Sequence, residues 1–109
     1  MNNMKFHREF VTYDQGITLK QLGFDERCLT GFSYEDDKLL AEAPLKQQVL
    51  RWFREKHNLV SWVYIGNVDR YFYTIIEGGR FVVDHKVYPT YEEAEDACID
   101  KLIEIIKEK

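Results

Sequence analysis

A chain of 109 residues, 45% hydrophobic and 15% aromatic, has enough bulky side chains to bury one core without disulfides or metal. Its formal net charge of -4 and pI near 5.4 argue against the broad attraction to nucleic acid or anionic lipid that clustered Lys and Arg supply. Cys28 and Cys98 lie far apart without metal-ligand spacing, as expected of buried thiols in a reducing cytoplasm, and no apolar run reaches the roughly 18 residues of a membrane span.

Charge divides unevenly along the chain. Residues 1–43 hold 5 basic and 8 acidic side chains, residues 44–89 hold 7 and 4, and residues 90–109 hold 3 and 7. With no repeat or Gly/Ser linker between these parts, the chain reads as a single domain, with residues 1–43 as an N-terminal αβ extension and residues 44–109 as the core.

In the extension, Glu9 to Tyr13 reads as a short strand, and Asp14 is placed to cap a short helix that ends at Gly23, a residue suited to the left-handed position past a helix. Cys28 to Tyr34 reads as a second strand, and Asp36-Asp37 as a solvated turn before Leu39-Leu40. Pro44 suits a first helical turn, and Leu45, Val49, Trp52 and Phe53 recur at the spacing of one helical face, so a helix is expected from Pro44 to about His57. Leu59 to Ile65 and Tyr71 to Ile76 are β-branched and aromatic, joined through Gly66-Asn67-Val68-Asp69. Gly78-Gly79 is a two-residue hairpin turn leading into Phe81 to Tyr88. The last helix opens with Thr90 and Glu93 as a capping box, carries Glu92 and Glu93 at its positive end and ends with Lys107 and Lys109. Its inward stripe is Tyr91, Ala94, Cys98, Leu102 and Ile105, widened by Ile99, Ile103 and Ile106. The predicted fold class is α+β, helix-β-β-β-helix over an antiparallel sheet, preceded by the αβ extension.

Residues 44–109 resemble the double-stranded RNA-binding domain in element order and length, and Glu93 to Leu102 is similar to the small-residue core of its second helix. In that family the N-terminus of this helix presents lysines to phosphates. Here the corresponding residues are Glu92, Glu93, Glu95 and Asp96, and the loop Gly66 to Asp69 lacks the family's histidine-bearing pattern. The resemblance therefore implies the fold without the double-stranded RNA partner. Leu19 to Glu26, Ala43 to Gln48, Arg51 to Lys56 and Tyr91 to Glu95 look like segments of small uncharacterised proteins encoded by phages and prophages of gut anaerobes, which implies an accessory of mobile-element origin inside a bacterial cell.

No catalytic or metal-binding constellation stands out. His7, His57 and His85 lack ligand spacing, and His57 reads as a favourable cation at a helix C-terminus. Neither Ser33 nor Ser61 stands in a nucleophile elbow, Glu35-Asp36-Asp37 lacks the frame of a calcium loop, and Gly78-Gly79 lacks the helix and Lys-Ser/Thr of a phosphate loop. No enzyme activity and no cofactor is expected. Lys46, Arg51, Arg54 and Lys56 make the helix after Pro44 basic, the pattern of a solvated face.

The sheet supplies the candidate site. Alternation predicts that Phe72, Thr74, Ile76, Phe81, Val83 and Val87 share the face packed on the helices, whereas Tyr71, Tyr73, Ile75, Val82 and Tyr88 share the other face with Val60, Trp62 and Tyr64. An aromatic binding face of Trp62, Tyr64, Tyr71, Tyr73 and Tyr88 follows. It is to be covered by residues 1–43, by a second copy in a homodimer, or by a protein partner. The expected function is that of a noncatalytic protein-interaction module, with single-stranded nucleic-acid binding by base stacking as the alternative.

Overall fold

The computed structural model describes residues 10–25, 30–31, 34–35, 38–39, 42–43, 45–83 and 86–109. They form two compact units, residues 1–49 and residues 50–109, with the division falling inside a helix. The expectations for Cys28, Asp36-Asp37, Pro44, His7 and His85 lie outside the described residues.

In the first unit, helix α1 spans Tyr13–Gln21. Its N-cap is Thr12, not Asp14: Thr12 Oγ1 accepts from the Gln15 backbone N–H at 3.1 Å while the Thr12 N–H donates to Gln15 Oε1 at 2.9 Å. Here the reciprocal box uses glutamine as its third-position acceptor. The expected strand at Glu9 to Tyr13 is reduced, among described residues, to one bridge between Phe10 and Leu45, because Thr12 already commits the chain to helix. Gly23 closes α1 at φ +105°, the left-handed conformation expected of it, and the Phe24 N–H returns to the Leu19 carbonyl at 2.9 Å. Val11 and Leu19 are buried beside Phe10 and Phe24 in sequence and bring the apolar face of the segment inward. Strand β1 (Thr30–Gly31) pairs antiparallel with β4 (Glu42–Ala43), and β2 (Tyr34–Glu35) with β3 (Lys38–Leu39), so the pairs are nested about one reversal of the chain.

Helix α2 spans Lys46–His57 and crosses from the first unit into the second. It starts after Leu45, whose backbone is taken by the bridge to Phe10. Lys46 is buried, which corrects the expectation of a solvated basic face; Arg51, Arg54 and Lys56 are exposed as expected.

The second unit is built on an antiparallel sheet in the order β5 (Leu59–Asn67), β6 (Arg70–Glu77), β7 (Arg80–Val83). Two tight turns fix it. Asp69 (φ +59°) sits in the first turn, and Gly78 (φ +58°) and Gly79 (φ +82°) form the second, with positive φ at both central residues matching the twist of the paired strands. Among the described residues the third strand covers Arg80–Val83 of the expected Phe81 to Tyr88, and Tyr88 returns to the sheet, exchanging both backbone hydrogen bonds with Tyr71 at 2.8 and 3.0 Å. Helix α3 spans Tyr91–Lys107, and Thr90 Oγ1 accepts from the Glu93 N–H at 3.1 Å. This helix packs on β5 and β6 through Ala94, Cys98, Ile99, Leu102, Ile103 and Ile105, all buried as expected, whereas Tyr91 is 39% exposed. The architecture is thus α+β with a three-stranded antiparallel sheet.

Candidate functional site

Register decides which side chains the sheet offers. In β5 and β6 Val63 stands opposite Tyr73, Trp62 opposite Thr74 and Tyr64 opposite Phe72, and in β6 and β7 Ile76 stands opposite Phe81. Opposed residues share a face. One face therefore carries Leu59, Ser61, Val63, Tyr71, Tyr73, Ile75 and Val82, and the other carries Val60, Trp62, Tyr64, Phe72, Thr74, Ile76 and Phe81.

Helix α3 covers the first of these. Cys98 lies beside Ser61, the rings of Tyr71 and Tyr91 meet edge to face at 6.2 Å, and Lys109 Nζ pairs with Glu77 at 3.2 Å. Tyr73 is 3% exposed and Ile75 is fully buried. This corrects the predicted sharing of one face. Of the five residues expected on one face, Tyr71, Tyr73 and Tyr88 lie on the helix side, and only Trp62 and Tyr64 look outward.

The rings expected under the helices, Phe72 and Phe81, join them there. The physical reason is the small-residue stripe of α3: Ala94, Ala97 and Cys98 leave room for tyrosine rings that a leucine-rich helix would exclude. On that side Tyr73, Val82 and Tyr88 border a cleft of about 430 Å³ against Ala97, Asp100, Lys101 and Glu104. The Tyr73 and Tyr88 rings lie 6.2 Å apart, Lys86 Nζ stands 5.6 Å over the Tyr88 ring, and Lys101 pairs with Glu104 at 3.3 Å.

The outward face is aromatic and is accessible at Trp62, Tyr64 and Phe81, whereas Thr74 at its centre is buried. Trp62 and Tyr64 are each 42% exposed and Phe81 is 65% exposed, while Tyr64 stacks on Phe72 with centroids 5.5 Å apart and planes inclined by 22°. Phe72 and Phe81 share one face, as the Gly78-Gly79 turn predicts; that face lies outward and not under the helix, and the irregularity between Ile65 and Asn67 brings Trp62 and Tyr64 onto it. The available signal was Gly66, since a glycine inside a strand-like run marks a bulge or a close approach.

Charge is polarised across the sheet. Residues 90–109, which include all of α3, hold 7 acidic against 3 basic side chains, whereas the outward positions of the strands carry a single formal charge, Arg70. Of the four carboxylates at the start of α3, Glu93 is exposed, Glu92 and Asp96 are half-buried, and Glu95 is 5% exposed, so Glu95 belongs to the interior rather than to a solvent-facing row.

Two groups have shifted proton affinities. Burial pushes the Cys98 thiol up to about 12; contact with Ser61 lowers it slightly and the charge of Glu95 raises it further. Ser61 Oγ is buried without a hydrogen bond of ordinary geometry, so the contact with the thiol is a weak one. Cys98 is therefore a protonated core residue, not a nucleophile. His57 packs against the rings of Trp52 at 4.8 Å and Phe53 at 5.9 Å, and burial, then the charge of Lys109, lowers its pKa. The expected cation at the end of α2 is thereby disfavoured, since desolvation and a neighbouring ammonium oppose the helix dipole.

Among the described residues no group of three or more His, Cys, Asp or Glu side chains converges as a metal site would require, and no helix is long and apolar enough to cross a membrane. Comparison with protein-family models, with curated proteins and with solved structures finds no match to this chain.

Proposed function

We propose that this chain is a noncatalytic protein-interaction module that docks a protein on the outward face of its sheet. The observation that supports the reading is the accessible aromatic set Trp62, Tyr64 and Phe81, with Phe72 between them. Aromatic anchors dominate protein interfaces because each ring removes a large apolar area from water at little cost in rotamer freedom. Covering such side chains contributes roughly 1.5 to 3 kcal/mol each when burial is complete.

The order α2-β5-β6-β7-α3 supports a double-stranded-RNA-binding-like arrangement turned to another use, because Glu92 and Glu93 occupy the first turn of α3, where phosphates would have to approach. Its resemblance to phage- and prophage-encoded proteins makes it, in this reading, a cytoplasmic accessory of mobile-element origin. The test is capture from a bacterial host lysate with the full chain as bait beside its Trp62→Ser variant, identified by mass spectrometry. A partner retained by the first and lost by the second is the expected result; identical capture by both would remove the face from the reading.

One observation favours a second reading, single-stranded nucleic-acid binding. The outward strand positions carry four rings and no carboxylate, and base stacking needs only ring faces and a positive surround. Trp62 fluorescence during titration with oligo(dT) and oligo(U) separates the two. No change is expected, and quenching that weakens steeply with salt would replace protein docking by strand binding.

A further inference from the structure

We infer that the outer edge of β5 pairs antiparallel with β5 of a second copy of this chain, joining two three-stranded sheets into one about a two-fold axis. The surface is the main-chain edge of the sheet, separate from its outward face.

The direction of the main-chain groups is set from the far side of the sheet. Tyr71 turns both its N–H and its C=O toward Tyr88, at 2.8 and 3.0 Å, and therefore away from Ile65, which stands opposite it in β5. In an antiparallel ladder such residues alternate with bonded ones. Val60, Trp62 and Tyr64 thus exchange bonds with β6, whereas Ser61, Val63 and Ile65 turn their N–H and C=O groups out from the edge. β5 is the terminal strand, and among the described residues its main chain bonds to β6 alone. Ser61 keeps part of its surface in water although its Oγ is buried, so the part that meets water is not the hydroxyl.

A strand that ends a sheet is ordinarily guarded by charge, proline or brevity. β5 has none of these: its nine residues contain no charge and no proline, in a chain that is 31% charged. The opposite edge, β7, is only four residues long and opens on Arg80. A row of outward donors and acceptors along an extended strand is matched by another extended strand.

The copy of β5 is the strand that fits. Leu59 is fully buried and the register shifts between Ile65 and Asn67, so the usable edge runs from Ser61 to Ile65 with Val63 at its centre. A two-fold axis at Val63 sets Val63 against Val63, and Ser61 against Ile65 of the second copy, so each outward donor meets an acceptor. The same register brings Trp62 opposite Tyr64 of the second copy, twice by symmetry, at the closely spaced positions where cross-strand rings interact. Each of these rings is 42% exposed in the single chain. The junction buries no charge, whereas a charged peptide laid on the same edge would find no counter-charge on β5.

The experiment is sedimentation equilibrium on the full chain over a concentration series, with circular dichroism to follow folding and amide hydrogen exchange read at Ser61, Val63 and Ile65. Wild type is expected at twice the 13.1 kDa chain mass, with these three amides protected. Ile65→Pro removes an N–H that the ladder to β6 does not use, at a side chain 57% exposed, so the fold is kept and pairing is lost. Ile65→Lys charges the same place without changing the backbone and is also expected to be monomeric where wild type is paired. Trp62→Ser is expected to weaken pairing about tenfold through the lost cross-strand rings. A wild-type monomer with freely exchanging edge amides overturns the inference. A monomer with those amides protected also overturns it, since the chain's own residues would then hold the edge. A dimer that survives both changes at Ile65 places association elsewhere and overturns it equally, and pairing indifferent to Trp62→Ser overturns the register centred on Val63. The changes at Ile65 lie on the helix side of the sheet, so they leave the docking reading of the outward face to its own capture test.

Discussion

The ring of Phe72 occupies the space beside Gly66: its Cε2 lies 2.5 Å from where a Cβ on residue 66 would sit. That approach coincides with the register shift between Ile65 and Asn67, which lets the ring lie flat and stack on Tyr64. The outward aromatic field is therefore shaped by an absent side chain as much as by the rings present.

Gly66→Ala should displace the Phe72 ring and lower stability by about 1 kcal/mol, the steric cost exceeding the gain from a stiffer unfolded chain. Denaturant unfolding of Gly66→Ala in wild-type and Phe72→Leu backgrounds tests this as a double-mutant cycle. Equal costs in both backgrounds would show that the ring is not what the methyl meets.

Thr90→Ala should cost about 1 kcal/mol, because the Glu93 N–H loses its acceptor at the start of the helix that covers the sheet. Thr90→Ser keeps the hydroxyl and should be nearly neutral. A serine variant as unstable as the alanine variant would place the loss in the threonine methyl instead of the cap.

Acid should weaken the fold through His57, whose folded pKa lies below its ordinary 6.5. Between the two values the unfolded chain binds more protons than the folded one, so the contribution of the neutral imidazole is complete above about pH 6.5 and is lost as pH falls through that window. Urea midpoints for wild type and His57→Gln from pH 7.5 to 5 measure it. The two curves should converge toward low pH, and a constant separation would exclude the imidazole as the titrating group.

Cys98 should resist thiol reagents at pH 8 in the folded protein, since burial holds the thiol up to about 12 and leaves almost no thiolate. In a Cys28→Ser background, labelling by an aromatic disulfide should occur only as fast as the chain opens and should accelerate with denaturant. Rapid labelling without denaturant would mean that α3 leaves the sheet far more readily than its buried isoleucines imply.

Local chemistry by itself determined the elements that close over a few residues. Gly23, Gly78 and Gly79 adopt the left-handed backbone for which a missing Cβ suits them, Thr90 caps the final helix, and β5, β6, β7 and α3 follow in the predicted order, because each of these choices is settled within about one turn of chain. The Thr12–Gln15 box was equally local but went unread, as Asp14 stood next to it as the more familiar cap. Only the tertiary structure decided the faces. A strand alternates regardless of which side is buried, and a shift of one residue exchanges the two sides, so the irregularity after Ile65 moved Trp62 and Tyr64 away from Tyr71 and Tyr73. Which of the two aromatic sets lay under the helix then depended on the size of side chains far along the chain, Ala94, Ala97 and Cys98, whose room for Tyr73 exists only once α3 has docked on the sheet.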